Sequence, residues 1–353
     1  MIVIGADPHK REHSAAAICR ATGELRSSEA VAATPTGHAA LLDWACALDG
    51  ERVWALEDCR HVSGALERFL LARGERVVRV AARLMGESRR AQRSAGKSDA
   101  IDALAVARAA LRQGPDTLPA ATVDEAALEI KLLLDHRDDL VAERTRIQNR
   151  LRWHLHELWP ALAIPLAGLD REKWLVPIAR RLARQEQGAR VRVCRDELRR
   201  VRELTRAAAA LERELCRLVQ DKAPALLGLA GCGALSAARI IAELGDVHRF
   251  SCDAKLARLA GVAPIPASSG ARQRHRLDRG GNRKLNCAIH RIALTQGRVH
   301  GPARDYLARK QAEGKTRREA LRCLKRQLVR RIWQLVRAAS TDTTPVAQIA
   351  DST

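Results

Sequence analysis

Four carboxylates stand where they could act together on a phosphate ester. Asp7 follows the apolar run 2–6 and Glu57 follows the apolar run 53–56, so each ends a predicted strand. Asp99 and Asp102 lie three residues apart, which places both side chains on one face of a helix. Carboxylates held close together need cations between them, and an all-oxygen site suits Mg²⁺, with Mn²⁺ as a substitute. Two such ions can hold both sides of a phosphodiester during an in-line displacement, which predicts a nucleic-acid enzyme.

A second group of chemically capable residues lies between positions 260 and 284. Ser268 and Ser269 precede a glycine and are followed by a dense series of cations, which are Arg272, Arg274, Arg276, Arg279, Arg283 and Lys284. A hydroxyl nucleophile beside guanidinium groups has what phosphoryl transfer requires. Two other interpretations stay open: the serine hydroxyls could satisfy the backbone of a turn, and the cations could hold nucleic acid without chemistry.

The excess positive charge is concentrated near the end of the chain. The 353 residues carry a formal net charge of +21, and the segment 269–337 holds 20 Lys and Arg against 4 Asp and Glu. A polyanion is the natural partner for such a surface, so we expect DNA or RNA binding that weakens steeply with salt. A solubilising coat on helices is the alternative. No apolar run approaches the ~20 residues that span a bilayer, so no membrane partner is expected.

The cysteine pattern bears on the compartment. The nine cysteines are odd in number, scattered, and form no Cys-x-x-Cys pair. This indicates reduced thiols in a cytoplasm and argues against a zinc site or a disulfide scaffold. The N-terminus also lacks the charged-then-apolar layout of a signal peptide. We therefore expect a cytoplasmic protein, associated with the nucleoid when it acts on DNA.

The first 115 residues predict an α/β domain that would position the carboxylates. Its expected strands cover 2–6, 13–19, 24–30, 53–56 and 76–80, and its expected helices cover 37–48, 63–73 and 99–111. The turn at Gly23 joins two strands directly, which is typical of a meander rather than a crossover. His9 and His13 could assist a phosphate or cap the first strand turn, and surface histidine is the preferred interpretation for both.

The middle of the chain predicts long helices. Apolar residues alternate in steps of three and four from Leu198 to Leu218, which is typical of a coiled-coil seam. Trp159-Pro160 and the segment 175–177 are expected to interrupt the helices, so a hairpin or a long-armed pair is predicted. Ordinary two-helix packing inside a domain is an equal alternative.

A glycine-rich turn follows the helical region. Gly231 and Gly233 precede a predicted helix over 235–244, and glycines in this position let backbone N–H groups approach a phosphate closely. The pattern is similar to a helix–hairpin–helix that grips a nucleic-acid backbone. A plain helix–helix turn is the alternative.

These motifs together resemble a known family. Residues 5–10, Glu57 and residues 97–103 resemble the four-acid (DEDD) signature of the insertion-sequence 110 family of transposases, and residues 229–233 and 260–270 resemble its C-terminal transposase domain. The resemblance implies an RNase H-like (RuvC-like) domain over 1–115, a helical coiled-coil region over 116–222, a small helical transposase domain over 223–340, and a disordered tail over 341–353.

The resemblance also implies a mechanism. Asp7, Glu57, Asp99 and Asp102 would be the metal-binding acids, and Ser269 would be the nucleophile that forms a transient phosphoserine link to DNA while a mobile element is excised or inserted. A structured RNA encoded beside the gene would pair with the DNA, and a homodimer or homotetramer would hold the complex. Ser268 leaves the position of the nucleophile open by one residue.

Two features of the sequence depart from the usual family pattern, and two other functions are alternatives to transposition. Pro8 and the segment 58–60 differ from the usual family pattern, and Asp58 could compete with Glu57 for metal. A junction-resolving nuclease would use the acids and water without a covalent intermediate. A nucleic-acid-binding protein with an inactive catalytic fold would bind without cutting.

Overall fold

The computed structural model describes residues 1–57, 60–80, 99–118, 120–122, 124–165, 167–267, 275–276, 278 and 280–341. Its internal contacts divide the chain into two compact units, Met1–Val123 with His248–Phe250, and Asp124–Val247 with Ser251–Thr353. The finer predicted division at residues 222 and 340 stays a prediction.

The first unit is built on one five-stranded sheet. In chain order the elements are β1 (Ile2–Pro8), β2 (Glu12–Cys19), β3 (Leu25–Ala32), α1 (Pro35–Leu48), β4 (Arg52–Glu57), α2 (Arg60–Leu71), β5 (Val77–Val80) and α3 (Asp99–Gln113). The strand order is β3-β2-β1-β4-β5, with β2 antiparallel to both neighbours and β4 parallel to β1 and β5. This is the RNase H-like arrangement, so the predicted fold class and the meander followed by alternating helices and strands are confirmed.

Alternation along β1 divides the hydrophobic core between two faces of the sheet. Ile2, Ile4 and Ala6 pack with residues of α1 and α2, whereas Val3 packs with the alanine-rich face of α3. Because successive strand side chains point to opposite faces, the odd-numbered residues of β1 face α3.

Gly5 allows α3 to approach the sheet unusually closely. A Cβ placed on Gly5 would lie 2.3 Å from both the carbonyl oxygen of Ala103 and the backbone nitrogen of Ala107. No side chain fits at that distance, so only glycine permits this helix to lie directly against β1. The start of α3 is thereby brought to the carboxyl end of β1.

The second unit contains two long helices and a set of shorter elements. They are α4 (Glu125–Leu158), α5 (Glu172–Arg184), α6 (Ala189–Lys222), α7 (Pro224–Leu227), α8 (Ala234–Leu244), α9 (Asp253–Leu259), β6 (Ile265–Pro266), β7 (His275–Arg276), α10 (Arg283–Val299), α11 (Gly301–Ala312) and α12 (Arg317–Thr341), with short 3₁₀ turns at Gly168–Asp170 and Val247–Arg249. None of the helices that the structure describes is long and apolar enough to cross a membrane.

The two long helices pair in antiparallel directions. Their ion pairs Arg137–Glu212, Arg200–Glu143 and Arg190–Glu157 have N···O distances of 2.6, 2.8 and 2.6 Å. The partner's number falls as the α4 number rises, so α4 and α6 form a hairpin, as the interruption at Trp159-Pro160 predicts.

The apolar seam of α6 is buried for most of its length. Leu198, Val201, Leu204, Ala208 and Leu215 are all at most 4% exposed, and Val219 joins them near the end of the helix. A seam of this kind serves a two-helix pair within one chain.

One predicted break is wrong. The sequence analysis placed an interruption at 175–177, but Pro177 lies inside α5, near its start. Pro177 is the sixth residue of this helix, so it removes one i→i−4 hydrogen bond, to the carbonyl of Lys173. Leu175 and Ile178 are instead buried in the hairpin core.

Candidate active site

The register of the sheet brings two of the predicted acids together. Ala6 on β1 pairs with Leu56 on the parallel strand β4, so Asp7 and Glu57 directly follow paired residues at the same edge. Paired residues of parallel strands present their side chains to the same face. Both carboxylates therefore extend from the face that α3 covers.

The first turn of α3 supplies the other two acids. Asp99, the first residue of α3, is exposed. Asp102 lies on the face that packs against the sheet and is only 7% exposed. Carboxylates are favoured at a helix N-terminus by the helix dipole, but burial of Asp102 is not explained by that preference. Its position follows from the close packing that Gly5 permits.

A histidine that the sequence analysis placed on the surface lies between two of these acids. His9 Nε2 is 3.1 Å from Asp7 Oδ2 and 3.4 Å from Asp99 Oδ1. The three ligand atoms of Asp7, His9 and Asp99 all lie within 4.8 Å of one another. The Asp-Pro-His spacing at the end of β1 was the available signal, because it places both side chains at the same strand end.

The environment of Asp7 makes its carboxyl group harder to ionise. Burial raises the pKa of Asp7 above its ordinary value of 3.8, His9 opposes that rise, and the carboxylates of Asp102 and Asp99 add to it. A buried carboxylate beside two others carries repulsion that a cation relieves. The shift therefore indicates a site where negative charge is concentrated.

These residues fit a divalent metal ion. Asp7 and Asp99 offer oxygen ligands and His9 offers an imidazole nitrogen within one cluster. Asp102 is close enough to raise the Asp7 pKa, and Glu57 ends the neighbouring strand. Oxygen donors suit Mg²⁺, whereas a nitrogen donor in the set also suits Mn²⁺.

His13 is a clear correction to the sequence analysis, which expected a surface histidine. It is 1% exposed on β2, and its Nε2 lies 3.1 Å from Nε2 of His38 on α1, with the two rings stacked. The pKa of His13 is lowered to about 4, mainly by burial and secondly by the nearby His38. Burial also lowers the pKa of His38. The two imidazoles are therefore a neutral pair in the core.

The predicted serine centre falls partly outside the described residues. Ser269, Arg272, Arg274 and Arg279 all lie there, so the structure gives them no contacts. The strands on either side are described: β6 and β7 pair antiparallel, with Ile265 opposite Arg276 and Pro266 opposite His275. The segment that carries Ser269 thus connects two paired strands.

The described cations of this region have different surroundings. Arg276 lies exposed on β7 and lines a cleft, and Arg283 at the start of α10 borders a second hollow. Lys284 instead donates to Asp135 Oδ1 on α4 at 2.7 Å. Lys284 therefore forms part of an ion-pair network with Lys131 and Arg239 around Asp135.

The glycine-rich turn also divides into two roles. Gly231 has φ of +78°, and a Cβ there would lie 3.0 Å from the Cβ of Thr295 on α10, so this glycine serves helix packing. Gly233 is the N-cap of α8, and a Cβ there would meet nothing within 4 Å. The open backbone at the start of α8 is therefore at Gly233.

The comparisons with known proteins identify two transposase regions. Residues 4–160 match the model of the DEDD transposase of the IS110 type. Residues 223–308 match a transposase model of the IS116/IS110/IS902 family. The first region contains all four predicted acids, and the second contains Ser269 and the glycine-rich turn.

Three relatives of this chain come from insertion elements. The protein of insertion element IS116 from Streptomyces clavuligerus is 29% identical, covering 99% of this chain and 98% of its own length. The protein of insertion element IS900 from Mycobacterium paratuberculosis is 27% identical over 94% of this chain and 95% of its own length. A transposase of element IS1111A from Coxiella burnetii is 29% identical over 50% of this chain and 48% of its own length.

Among solved structures, RuvC of T. thermophilus in complex with a Holliday junction substrate is 18% identical. It covers 34% of this chain and 99% of its own length, with a TM-score of 0.27. The fold assignment is carried by the strand order and directions described above. One family model covers residues 4–160 and a second covers residues 223–308, so the chain carries an IS110 family transposase domain and an IS116/IS110/IS902 family C-terminal domain.

Proposed function

We propose that the protein excises and inserts a mobile insertion sequence by cutting and rejoining DNA strands at the Asp7 site. The observation that carries the proposal is the convergence of Asp7, His9 and Asp99 within 4.8 Å at the sheet edge, with Asp102 beside them. An isolated surface acid would not have its pKa raised by burial and by two neighbouring carboxylates. The family assignment supplies DNA transposition as the overall reaction.

The roles of the residues follow from their positions. Asp7, Glu57, Asp99 and Asp102 would hold one or two Mg²⁺ ions, and His9 would orient or join the ligand set. A bound divalent cation supplies Lewis acidity at a phosphate and makes a hydroxyl a stronger nucleophile. Burial of Asp7 and Asp102 keeps water away from the carboxylates, which strengthens their hold on a cation.

Ser269 would act as the nucleophile in the C-terminal region. Its hydroxyl oxygen would displace a DNA oxygen from phosphorus, giving a phosphoserine bond and a free DNA hydroxyl, and the reverse reaction with another strand would restore a phosphodiester. The match over residues 223–308 and the cations around the serine support this role.

RNA guidance and an oligomer complete the proposal. An element-encoded RNA that pairs with the DNA would leave the protein with backbone contacts rather than a base-reading code. The net charge of +21 is suited to holding such a nucleic-acid assembly. Purification of the protein with its bound RNA, followed by sequencing and light scattering, tests both parts.

The proposal is tested by PCR for the excised circular junction in cells that carry the element with its flanking DNA. Wild type is expected to form circles, whereas Ser269→Ala and Asp102→Asn should both fail. The exposed residues Ser28 and Asp139 give matched controls, and Ser28→Ala and Asp139→Asn should behave as wild type. Circles from Asp102→Asn at the wild-type level would overturn the role of the acids.

A junction-resolving nuclease is the second candidate. The observation that favours it is that the acids and His9 all belong to the first unit, so the metal cluster needs no residue from the second. This function predicts that Ser269→Ala still cuts DNA while Asp102→Asn does not. No protein–DNA adduct would then form.

A further inference from the structure

Lys325 is a buried lysine with an unusual set of neighbours. It lies on α12, is 6% exposed, and its Nζ donates to Asn286 Oδ1 at 2.6 Å. Among the residues that the structure describes, no carboxylate forms a salt bridge with it. Burial lowers the pKa of Lys325 from its ordinary value of 10.5.

A buried ammonium with a single neutral partner is costly to maintain. Its desolvation is not compensated by an amide oxygen alone, and fully buried lysines are rare unless they are paired. The cost is offset if an anion enters the site and completes the coordination of the ammonium. Such a site needs space beside the ammonium and further positive charge around it.

The space is a cleft of about 520 Å³. It is bordered by residues 261–264, by β7, and by residues of α11 and α12, and Lys325 is among the residues that line it. A second hollow of about 760 Å³, bordered by Arg283 and Asn286, also reaches Lys325. The lysine thus lies where both hollows could admit a ligand.

The acids that border the cleft already have partners. Glu313 pairs with Lys310 at 2.7 Å, Glu319 accepts from Thr316, and Asp278 accepts from the backbone of Gly280. Two further cleft cations, Arg276 and Lys315, form no salt bridge with another described residue. The cleft therefore presents an excess of positive charge, which favours an anionic ligand.

Asn286 connects Lys325 to the segment before the predicted nucleophile. Its Nδ2 donates to the carbonyl oxygen of Ala260 at 2.6 Å and to that of Gly261 at 3.3 Å, which fixes its Oδ1 toward the lysine. The chain runs from Gly261 into β6, and the Ser269 segment follows β6. Lys325 is thereby fixed relative to the strand that leads into that segment.

We propose that Lys325 binds a non-bridging oxygen of a nucleic-acid backbone phosphate that enters this cleft. The inference rests on the proposed function, since it assigns a substrate contact to the C-terminal region of the transposase. A phosphodiester supplies the anionic oxygen that the buried ammonium lacks, and Arg276 and Lys315 border the same space. Lys325 is thus a substrate-binding residue, and Asn286 is a positioning residue that acts through it.

The test measures the salt dependence of binding by the full-length protein. Wild type and variants are titrated with random-sequence DNA and with RNA of the same length over a range of salt concentrations. Lys325→Met should lower affinity by about tenfold, the effect of removing a charged hydrogen bond. It should also reduce the slope of log K against log salt by about 0.9 for duplex DNA or about 0.7 for a single strand.

Matched variants separate a phosphate contact from a structural effect. Lys325→Arg keeps the charge and should retain the wild-type slope, whereas Lys255→Met removes an exposed lysine outside the cleft and should leave the slope nearly unchanged. The melting temperature of Lys325→Met is measured beside the slope, since the variant removes a buried charge but leaves Asn286 Oδ1 without its donor. If Lys325→Met reduces the slope with only DNA or with only RNA, that nucleic acid supplies the phosphate.

The inference would be overturned if Lys325→Met bound both DNA and RNA with the wild-type affinity and the wild-type salt slope. The outcome is separable from that of the proposed function, because Ser269→Ala should bind with the wild-type slope while failing to form circles. If Ser269→Ala forms circles but Lys325→Met loses slope, the phosphoserine step is wrong and the phosphate contact stands.

Discussion

At the scale of single residues, the His13–His38 pair sets a pH limit on stability. The folded protein holds the pKa of buried His13 at about 4, against an ordinary value of 6.5, so the folded state binds fewer protons than the unfolded state between these values. Stability is therefore complete above pH 6.5 and is lost as the pH falls toward 4, by about 3 kcal/mol in total.

This prediction is checked by urea unfolding from pH 8 to pH 4. The variant His13→Gln keeps a hydrogen-bonding side chain but does not titrate, so the difference in unfolding free energy between wild type and variant should shrink or reverse toward pH 4. His156→Gln, at an exposed position on α4, should show the wild-type dependence. A difference that stays constant with pH would show that His13 is not buried as a neutral group.

Residue types and spacing predicted the candidate acids but not their partners. Asp7 and Glu57 could be placed at one sheet edge because apolar runs precede both of them. His9 is exposed as expected and only His13 is buried, but the position of His9 beside Asp99 and that of His13 beside His38 both depend on contacts between distant parts of the chain. Local sequence contains no information on such contacts.

At the scale of elements, the position of α3 depends on the glycine in the middle of β1. Gly5→Ala would place a methyl group 2.3 Å from the backbone of Ala103 and Ala107, so the helix must move away from the sheet. We expect a loss of about 3 kcal/mol or more in unfolding free energy and a weaker metal site, because Asp99 and Asp102 move with the helix.

Gly50→Ala is the matched control, since a Cβ there would meet nothing within 4 Å. Its unfolding free energy and its metal affinity should be close to those of wild type. Thermal denaturation together with a metal titration measures both quantities. A Gly5→Ala protein as stable as its control would contradict the close packing of α3 on β1.

The elements themselves were largely predictable because their periodicity is strong. The strand and helix pattern of the first unit, the hairpin and the short helices around the glycine-rich turn all follow from apolar spacing and from turn residues. Pro177 was expected to interrupt a helix, but it lies inside α5, where burial of Leu175 and Ile178 offsets the one hydrogen bond that the proline removes. The start of α5 has no side-chain cap that could have marked it.

At the scale of the whole molecule, metal and salt should affect different steps. In the proposed function, nucleic-acid binding depends on Lys and Arg side chains, whereas strand cleavage depends on the acids. Addition of EDTA should abolish strand transfer while leaving most of the binding, and raising the salt concentration from 50 to 200 mM should weaken binding by about a hundredfold or more.

Gel-shift and strand-transfer assays on the same DNA distinguish the two effects. Addition of excess Mg²⁺ after EDTA is the control and should restore strand transfer without changing binding. Strand transfer at the wild-type rate in EDTA would mean that the acids do not act through a metal ion.

The central claim is that Asp7 and its neighbours form a divalent-metal site, and Mn²⁺ binding followed by electron paramagnetic resonance tests it without any DNA. Wild type should bind Mn²⁺, Mg²⁺ should compete, and Asp7→Asn and Asp102→Asn should each weaken binding by about tenfold or more, since each removes an anionic group. Asp139→Asn should bind as wild type does. Equal Mn²⁺ affinity in wild type, Asp7→Asn and Asp102→Asn would contradict the account.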